Sequence, residues 1–183
     1  MSRVVHYCYC TLSPEVVDYE PPVAPIRVLV AWSERGICRI DLGGAAPPGQ
    51  GQIEFRRYDS RQVELTRLLE EWLARGDDPA ITAIPLDLSG LTLFTKEVLS
   101  TVRTIPRGEI RSYRWVAREI GRPRAIRAVG QALRANPIPL LIPCHRVVPA
   151  RGGVGGYSGG MGPEFKKWLL RHEGITPPFR PRY

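Results

Sequence analysis

The patterning of this chain changes near Gly90, and that change sets what it can fold into. Ahead of it, residues 4–10, 26–33 and 36–42 are rich in Val, Ile, Tyr, Cys and Trp and read as strands. Glu34-Arg35-Gly36 predicts a hairpin turn between the last two, and the Gly-, Pro- and Gln-rich residues 43–52 read as a loop. From Ser60, the residues Val63, Leu65, Leu68, Leu69, Trp72 and Leu73 recur at helical spacing and stop before Gly76. Pro85–Ser89 reads as a short extended piece. Beyond Gly90 the pattern is helices with short joints. Phe94, Val98, Leu99 and Val102 line one face of a first helix, which ends before Ile105-Pro106-Arg107-Gly108. Ser112 can cap a second helix carrying Trp115, Val116 and Ile120, closed by Gly121 with Pro123 behind it. A third runs from about Arg124 to Arg134. An α/β amino-terminal domain over residues 1–90 and a mainly helical domain over residues 91–183 are expected, which 183 residues can accommodate.

Charge divides at the same place. Residues 1–90 hold 9 Lys and Arg against 13 Asp and Glu, a net of −4; residues 91–183 hold 17 against 5, a net of +12. So basic a half points to a polyanion as partner. The competing reading is an Arg-rich thermophile surface, since 23 of the 26 basic residues are Arg. Ion-pair networks need both signs, however, and the back half has few acids. Nucleic acid is favoured. Helix, short joint, helix is also the spacing of a helix-turn-helix, whose last helix enters a groove. The third helix sets Arg124, Arg127 and Arg134 among Ala125, Ala128, Gly130, Ala132 and Ala135. Small residues let a backbone approach a surface closely, and Arg adds charge and a planar group that stacks. The longest apolar runs are far too short to span a bilayer. Nothing after Met1 resembles a secretory leader, so a cytoplasmic location is expected and no membrane partner.

Four cysteines occur, at positions 8, 10, 38 and 144, with no CxxC pair. Reduced thiols are expected. His6, Cys8, Cys10 and Cys38 would supply four zinc ligands, but Cys8 and Cys10 alternate on a strand and lack the spacing of a zinc knuckle. Small hydrophobes in a sheet are the favoured reading, with no cofactor required. Cys144 is different. It follows the apolar stretch Ile138-Pro139-Leu140-Leu141-Ile142-Pro143 and precedes His145, where a strand would stop and expose its side chains. Neighbouring cations would raise the thiolate fraction. On an extended chain the two side chains would face opposite ways, so a turn or a bridging water is needed to join them. A glycine-rich loop follows at residues 152–160, permitting close approach by a flat ligand. The helix end Trp168–Gly174 then brings Glu173, which can orient His145 as third member of a nucleophile, base and orienter set.

Pro143-Cys144-His145-Arg146-Val147, with Arg127-Ala128-Val129-Gly130 and Asn136-Pro137 upstream, closely resembles the 6-O-alkylguanine-DNA alkyltransferases, the methylated-DNA–protein-cysteine methyltransferase family. Gly108–Tyr113, Tyr157-Ser158-Gly159-Gly160 and His172-Glu173-Gly174 extend the resemblance over roughly residues 91–175. It implies a ribonuclease-H-like sheet with a flanking helix in front and a winged helix-turn-helix behind. It implies a monomer, with cooperative binding along DNA left open, associated with the nucleoid. It also implies direct-reversal DNA repair: the protein binds the minor groove of double-stranded DNA, rotates the alkylated guanine out of the stack and takes the alkyl group onto a cysteine. By motif position Cys144 is the acceptor, His145 takes its proton through a water, Glu173 holds His145 and Asn136 supports the turn. Tyr113 presses on the phosphate and protonates the base, and Arg127 fills the gap in the stack. Arg124, Ala128, Gly130 and Arg134 belong to the DNA-binding surface, and Val147, Val154, Gly155, Tyr157 and Ser158 to the guanine pocket. 4-O-alkylthymine is implied as a second substrate. One departure is the stretch Met161–Lys167, about two residues longer than the family pattern.

The chemistry agrees. An alkyl carbon on guanine oxygen is a soft electrophile and a thiolate a soft nucleophile. Extrusion of a base costs a few kcal/mol, which a basic surface and an intercalating side chain offset. The product is a thioether, which thiol exchange does not open, so one turnover per molecule is expected. Two alternatives stand beside this reading. One is a lesion-recognition or regulatory module that binds without transfer; the other is a cysteine hydrolase built on Cys144 and His145.

Overall fold

The computed structural model describes residues 6–12, 26–43, 60–75, 79–157 and 161–181. Within it the chain has mixed α/β content and divides into two compact units, Met1–Ser89 and Gly90–Tyr183. The first is built on an antiparallel meander of β1 (His6–Leu12), β2 (Ile26–Ser33) and β3 (Gly36–Leu42). In register, Cys8 lies opposite Val30 and Val30 opposite Ile40, with a bulge at Ala31/Trp32. Val28 to Trp32 are all buried, so the central strand lacks the in-out alternation of a half-exposed one. Gly36 closes the hairpin at φ +132°, where a Cβ would overlap the Pro85 carbonyl. That close approach lets Ile37 N–H donate to Pro85 O and Asp87 N–H to Ile37 O, adding the 85–87 segment beside β3.

Helix α1 (Ser60–Arg75) packs on β1 and buries Leu65, Leu68, Leu69 and Trp72 of the stripe its spacing predicts, whereas Val63, read onto the same stripe, stands exposed in the first turn. A short α2 (Pro79–Ala83), not anticipated from the sequence, follows. The expected loop over residues 43–52 lies almost wholly outside the described residues. So do the side chains of His6, Cys8 and Cys10 in the zinc reading. The thiol of Cys38 donates to the Ala31 carbonyl at 3.4 Å. Among the described residues no cluster of three or more metal-ligating side chains occurs, and no helix is long and apolar enough to cross a membrane.

The second unit is mainly helical. Helix α3 (Leu93–Arg103) starts at Thr92, whose hydroxyl accepts from Thr95 N–H, and buries Val98, Leu99 and Val102. Ser112 caps α4 (Tyr113–Glu119) by accepting from Trp115 N–H at 3.0 Å, and Gly121 ends it at φ +68°. Helix α5 spans Ile126–Arg134, two residues shorter at its start than the sequence spacing predicts. The turn after Pro123 accounts for this: Ala125 N–H donates to Arg122 O before the helix begins. Helices α3, α4 and α5 contact one another. Two short parallel strands, β4 (Arg111–Ser112) and β5 (Val147–Val148), tie the start of α4 to the segment after Cys144. Last comes α6 (Gly162–His172), entered through Pro163 and closed by Gly174 at φ +80°.

Candidate active site

Asn136 governs the path of the chain after α5. Its Oδ1 accepts from Ile138 N–H and its Nδ2 donates to Ile142 O, both at 3.0 Å. The same Ile142 carbonyl accepts Cys144 N–H at 2.7 Å, and Ile142 N–H donates back to Ile138 O. The apolar run 138–142 therefore folds as a closed turn rather than the strand end its composition suggests. The Asn136 amide takes the groups a neighbouring strand would take, and Leu140 sits buried at φ +72°. The chain then enters one 3-10 turn, Cys144–Arg146. Successive side chains on such a turn are about a third of a revolution apart, so His145 and Arg146 need not face away from one another.

Both reach Glu173. His145 Nε2 lies 2.8 Å from Glu173 Oε1, and neither side chain is exposed to solvent. A carboxylate only accepts, so Nε2 carries the hydrogen and Nδ1 is the ring position left for proton transfer. Arg146 Nε donates to both carboxylate oxygens at 3.1 and 3.0 Å and Nη2 to Oε1 at 2.9 Å, while Nη1 donates to Ile105 O at 2.6 Å. Glu173 is presented by the end of α6, and Arg107 donates to the His172 carbonyl beside it. Lys166, also on α6 and buried, donates to Val147 O at 2.7 Å and to Gly156 O at 3.5 Å.

Cys144 opens on a cavity of about 470 Å³ lined by Tyr113, Gly130, Leu133, Arg134, Cys144, Gly156 and Tyr157. Small-molecule sites commonly span about 300–1,000 Å³. The Tyr157 hydroxyl is buried with no hydrogen-bond partner among the described residues. Gly130, on α5, leaves room beside the Tyr113 ring, and Gly155, at φ +68°, lies close to the Tyr113 hydroxyl and the Pro149 ring. Of the remaining residues read as pocket lining, Val147 is buried with its carbonyl on Lys166. Val154 packs against the cluster of Ile110, Val148, Leu170 and Phe179. Ser158 lies outside the described residues. Helix α5 turns Val129, Ala132 and Leu133 inward and leaves Arg127, Ala128, Gln131 and Arg134 exposed; Arg124, also exposed, precedes it.

Two residues of this network were not singled out from the sequence. Arg146 gave no local sign, because its tie to Glu173 spans 27 positions. Lys166 did: it stands three and four residues before Leu169 and Leu170, on the apolar stripe of α6.

The electrostatics follow from burial. Burial pushes the Cys144 thiol up, opposed by the Asn136 amide, the Lys166 charge and the backbone N–H groups of Cys144 and His145. Burial likewise raises Tyr113 and Tyr157, with the charge of Cys144 adding to it. It lowers Lys166 to about 8, and Cys144 works the other way. Burial lowers His145 from 6.5 although the Glu173 charge and hydrogen bond oppose it. Burial would raise Glu173, but the charges and hydrogen bonds of His145 and Arg146 outweigh it and hold the carboxyl at about 2. Both folded values lie below the unfolded ones, so the unfolded chain binds the extra protons in acid. The stability these groups contribute is therefore complete above each unfolded value. It is lost as pH falls, from 6.5 downward for His145 and from 4.5 towards 2 for Glu173. The stability gap between wild type and Glu173→Gln, read from denaturant midpoints, is expected to narrow as pH drops from 4.5 towards 2. A gap independent of pH there would contradict the assignment.

The family model of the 6-O-methylguanine DNA methyltransferase DNA-binding domain matches residues 93–175. The methylated-DNA–protein-cysteine methyltransferase of Shigella flexneri is 46% identical over 143 residues, covering 67% of this chain and 81% of that protein. Among solved structures, a single-residue variant of the Mycobacterium tuberculosis O6-methylguanine methyltransferase superposes with a TM-score of 0.70 at 29% identity, covering 93% of each chain. The M. tuberculosis protein in complex with DNA gives a TM-score of 0.66 at 28% identity, covering 90% of this chain and 91% of that one. Cysteine, histidine and glutamate in one buried set beside an open cavity, and likeness along most of a relative's length, lead to one conclusion: this chain belongs to the methylated-DNA–protein-cysteine methyltransferase family.

Proposed function

We propose that this chain repairs DNA by direct reversal, moving the alkyl group of 6-O-alkylguanine in double-stranded DNA onto its own Cys144. What supports this most is that Cys144 lines the cavity while the adjacent His145 is held by a fully buried Glu173. The Cys144 proton passes through a water to His145 Nδ1. The thiolate sulfur attacks the alkyl carbon, the carbon–oxygen bond breaks and its electron pair returns to the guanine oxygen. The base takes a proton from Tyr113, and that proton is restored from His145. Thiol and alkylguanine thus become thioether and guanine with no net change in protons. The Asn136 amide and two backbone N–H groups favour the thiolate during the step. Burial of Cys144 keeps it a thiol at rest.

The unit beyond Gly90 acts as a winged helix-turn-helix, with α4 and α5 as its helix pair and α5 in the minor groove; the first 90 residues form a ribonuclease-H-like sheet with its flanking helix. The exposed Arg127, Ala128 and Arg134 on one face of α5 support this assignment, with Arg124 leading into it and Gly130 keeping the cavity mouth open. Arg127 fills the stack behind the extruded base, and the Tyr113 hydroxyl presses on the phosphate. Tyr157, Ser158 and the backbone at Val147 hold the guanine; Val154 and Gly155 shape the loop behind them. 4-O-alkylthymine is a second substrate. The protein acts as a monomer on the nucleoid.

Titrating the protein into excess duplex bearing one 6-O-methylguanine tests this. Repaired lesions are expected to plateau at one per protein molecule, because a thioether has no route back to a thiol. Continued repair past that plateau would exclude the self-alkylation mechanism, and a lack of repair despite binding would favour the recognition module.

A further inference from the structure

The matched family region ends at residue 175, yet the chain continues in order through Thr176-Pro177-Pro178-Phe179-Arg180-Pro181. Phe179 is 4% exposed and belongs to one buried cluster with Ile110, Val148 and Leu170, against which Val154 and Ile175 pack. The tail backbone also lies against the turn after β5: a Cβ on Gly152 would stand 3.5 Å from Phe179 O and 3.7 Å from Arg180 Cγ. Three prolines restrict this segment already in the unfolded chain, so ordering it costs less conformational entropy than an ordinary tail would.

Each neighbour of Phe179 sits a few residues from a reacting or orienting group. Ile110 is three before Tyr113, Val148 four after Cys144, Val154 three before Tyr157 and Leu170 three before Glu173. Four separate stretches of chain, three carrying residues of the cavity wall and the fourth carrying Glu173, thus meet in one cluster to which Phe179 adds an aromatic ring from outside the matched region. Side-chain packing at native density resists small displacements.

Resting on the transfer reading above, we propose that Phe179 is a positioning residue for alkyl transfer, wedging together the segments that carry Tyr113, Cys144, Tyr157 and Glu173. Misplacing reacting groups by about 1 Å can cost around a hundredfold in rate. The experiment is the single-turnover transfer rate on saturating duplex bearing 6-O-methylguanine, measured on the full chain well below its melting temperature. DNA affinity is measured separately by titration. Phe179→Ala and removal of residues 176–183 are expected to slow transfer by about ten- to a hundredfold while affinity stays within about twofold. Phe179→Leu, which refills most of the volume, is expected to recover most of the rate. A variant that melts earlier but transfers at the wild-type rate would overturn the proposal, leaving Phe179 a stabilising residue only. If Phe179→Ala does not fold, the milder Phe179→Val is read by the same criterion. Wild-type transfer, followed in parallel, separates failure of the transfer reading from failure of this one.

Discussion

Cys144→Ala is expected to lose alkyl transfer altogether, a fall of more than about a thousandfold, while binding lesion-bearing duplex within about twofold of wild type. The sulfur is the only group on the cavity wall that becomes bonded to the alkyl carbon in the proposed step, and alanine has nothing to take its place. The backbone is held independently of that sulfur, through Cys144 N–H on Ile142 O and the Asn136 amide on the same carbonyl. Alanine fits the 3-10 turn and borders an open cavity rather than a sealed core, so its stability cost stays near ~1 kcal/mol or less. Loss of transfer with retained affinity would assign the chemistry to Cys144 and recognition to the surrounding surface. Transfer that survives the substitution would rule out Cys144 as the acceptor.

The second large effect concerns stability. Glu173→Ala is expected to lower folding stability by about 3–5 kcal/mol, the usual cost of leaving buried charge uncompensated. Arg146 is 4% exposed and turns two of its nitrogens to this carboxylate, while His145 has no exposure at all. Removing the carboxylate strands a buried guanidinium and loosens the imidazole ring that the proposed proton transfer needs oriented. Total stabilities of about 5–15 kcal/mol make such a loss a large share of the whole. Glu173→Gln keeps an acceptor oxygen and is expected to fall between the two, which separates hydrogen bonding from charge. Chemical denaturation with an unchanged slope and a lowered midpoint would register the effect as stability rather than altered compactness. A Glu173→Ala protein as stable as wild type would show that Arg146 repartners freely and that the network is dispensable.

Much of this could be read in the residues. Ser112 and Gly121 bracket α4 because a hydroxyl at the cap and a glycine at positive φ satisfy helix ends locally. The stripes of α1 and α3 bury as their spacing requires, except for Val63 in the first turn of α1, which stays exposed, and Glu173 stands at its helix end beside Gly174. Misreading arose where a side chain displaced the backbone's ordinary partner. Ile138–Ile142 carries the composition of a strand, but Asn136 caps it into a turn and holds Leu140 at a φ that β-rich sequences seldom adopt. Lys166 and Arg146 defied the rule that charge stays outside, because carbonyl and carboxylate partners distant in sequence satisfy them. Phe179 sits in a proline-rich tail with no periodicity to mark its burial. The α2 helix is only five residues long, too short for a periodic signal.

In the proposed reaction Cys144 keeps what it removes from DNA. Intact-mass measurement after incubation with a duplex carrying one 6-O-methylguanine, followed by peptide mapping, tests it most directly. One added methyl group per protein is expected, on Cys144, with one guanine restored for each. An unmodified protein beside repaired DNA, or a methyl group on any other residue, would contradict it.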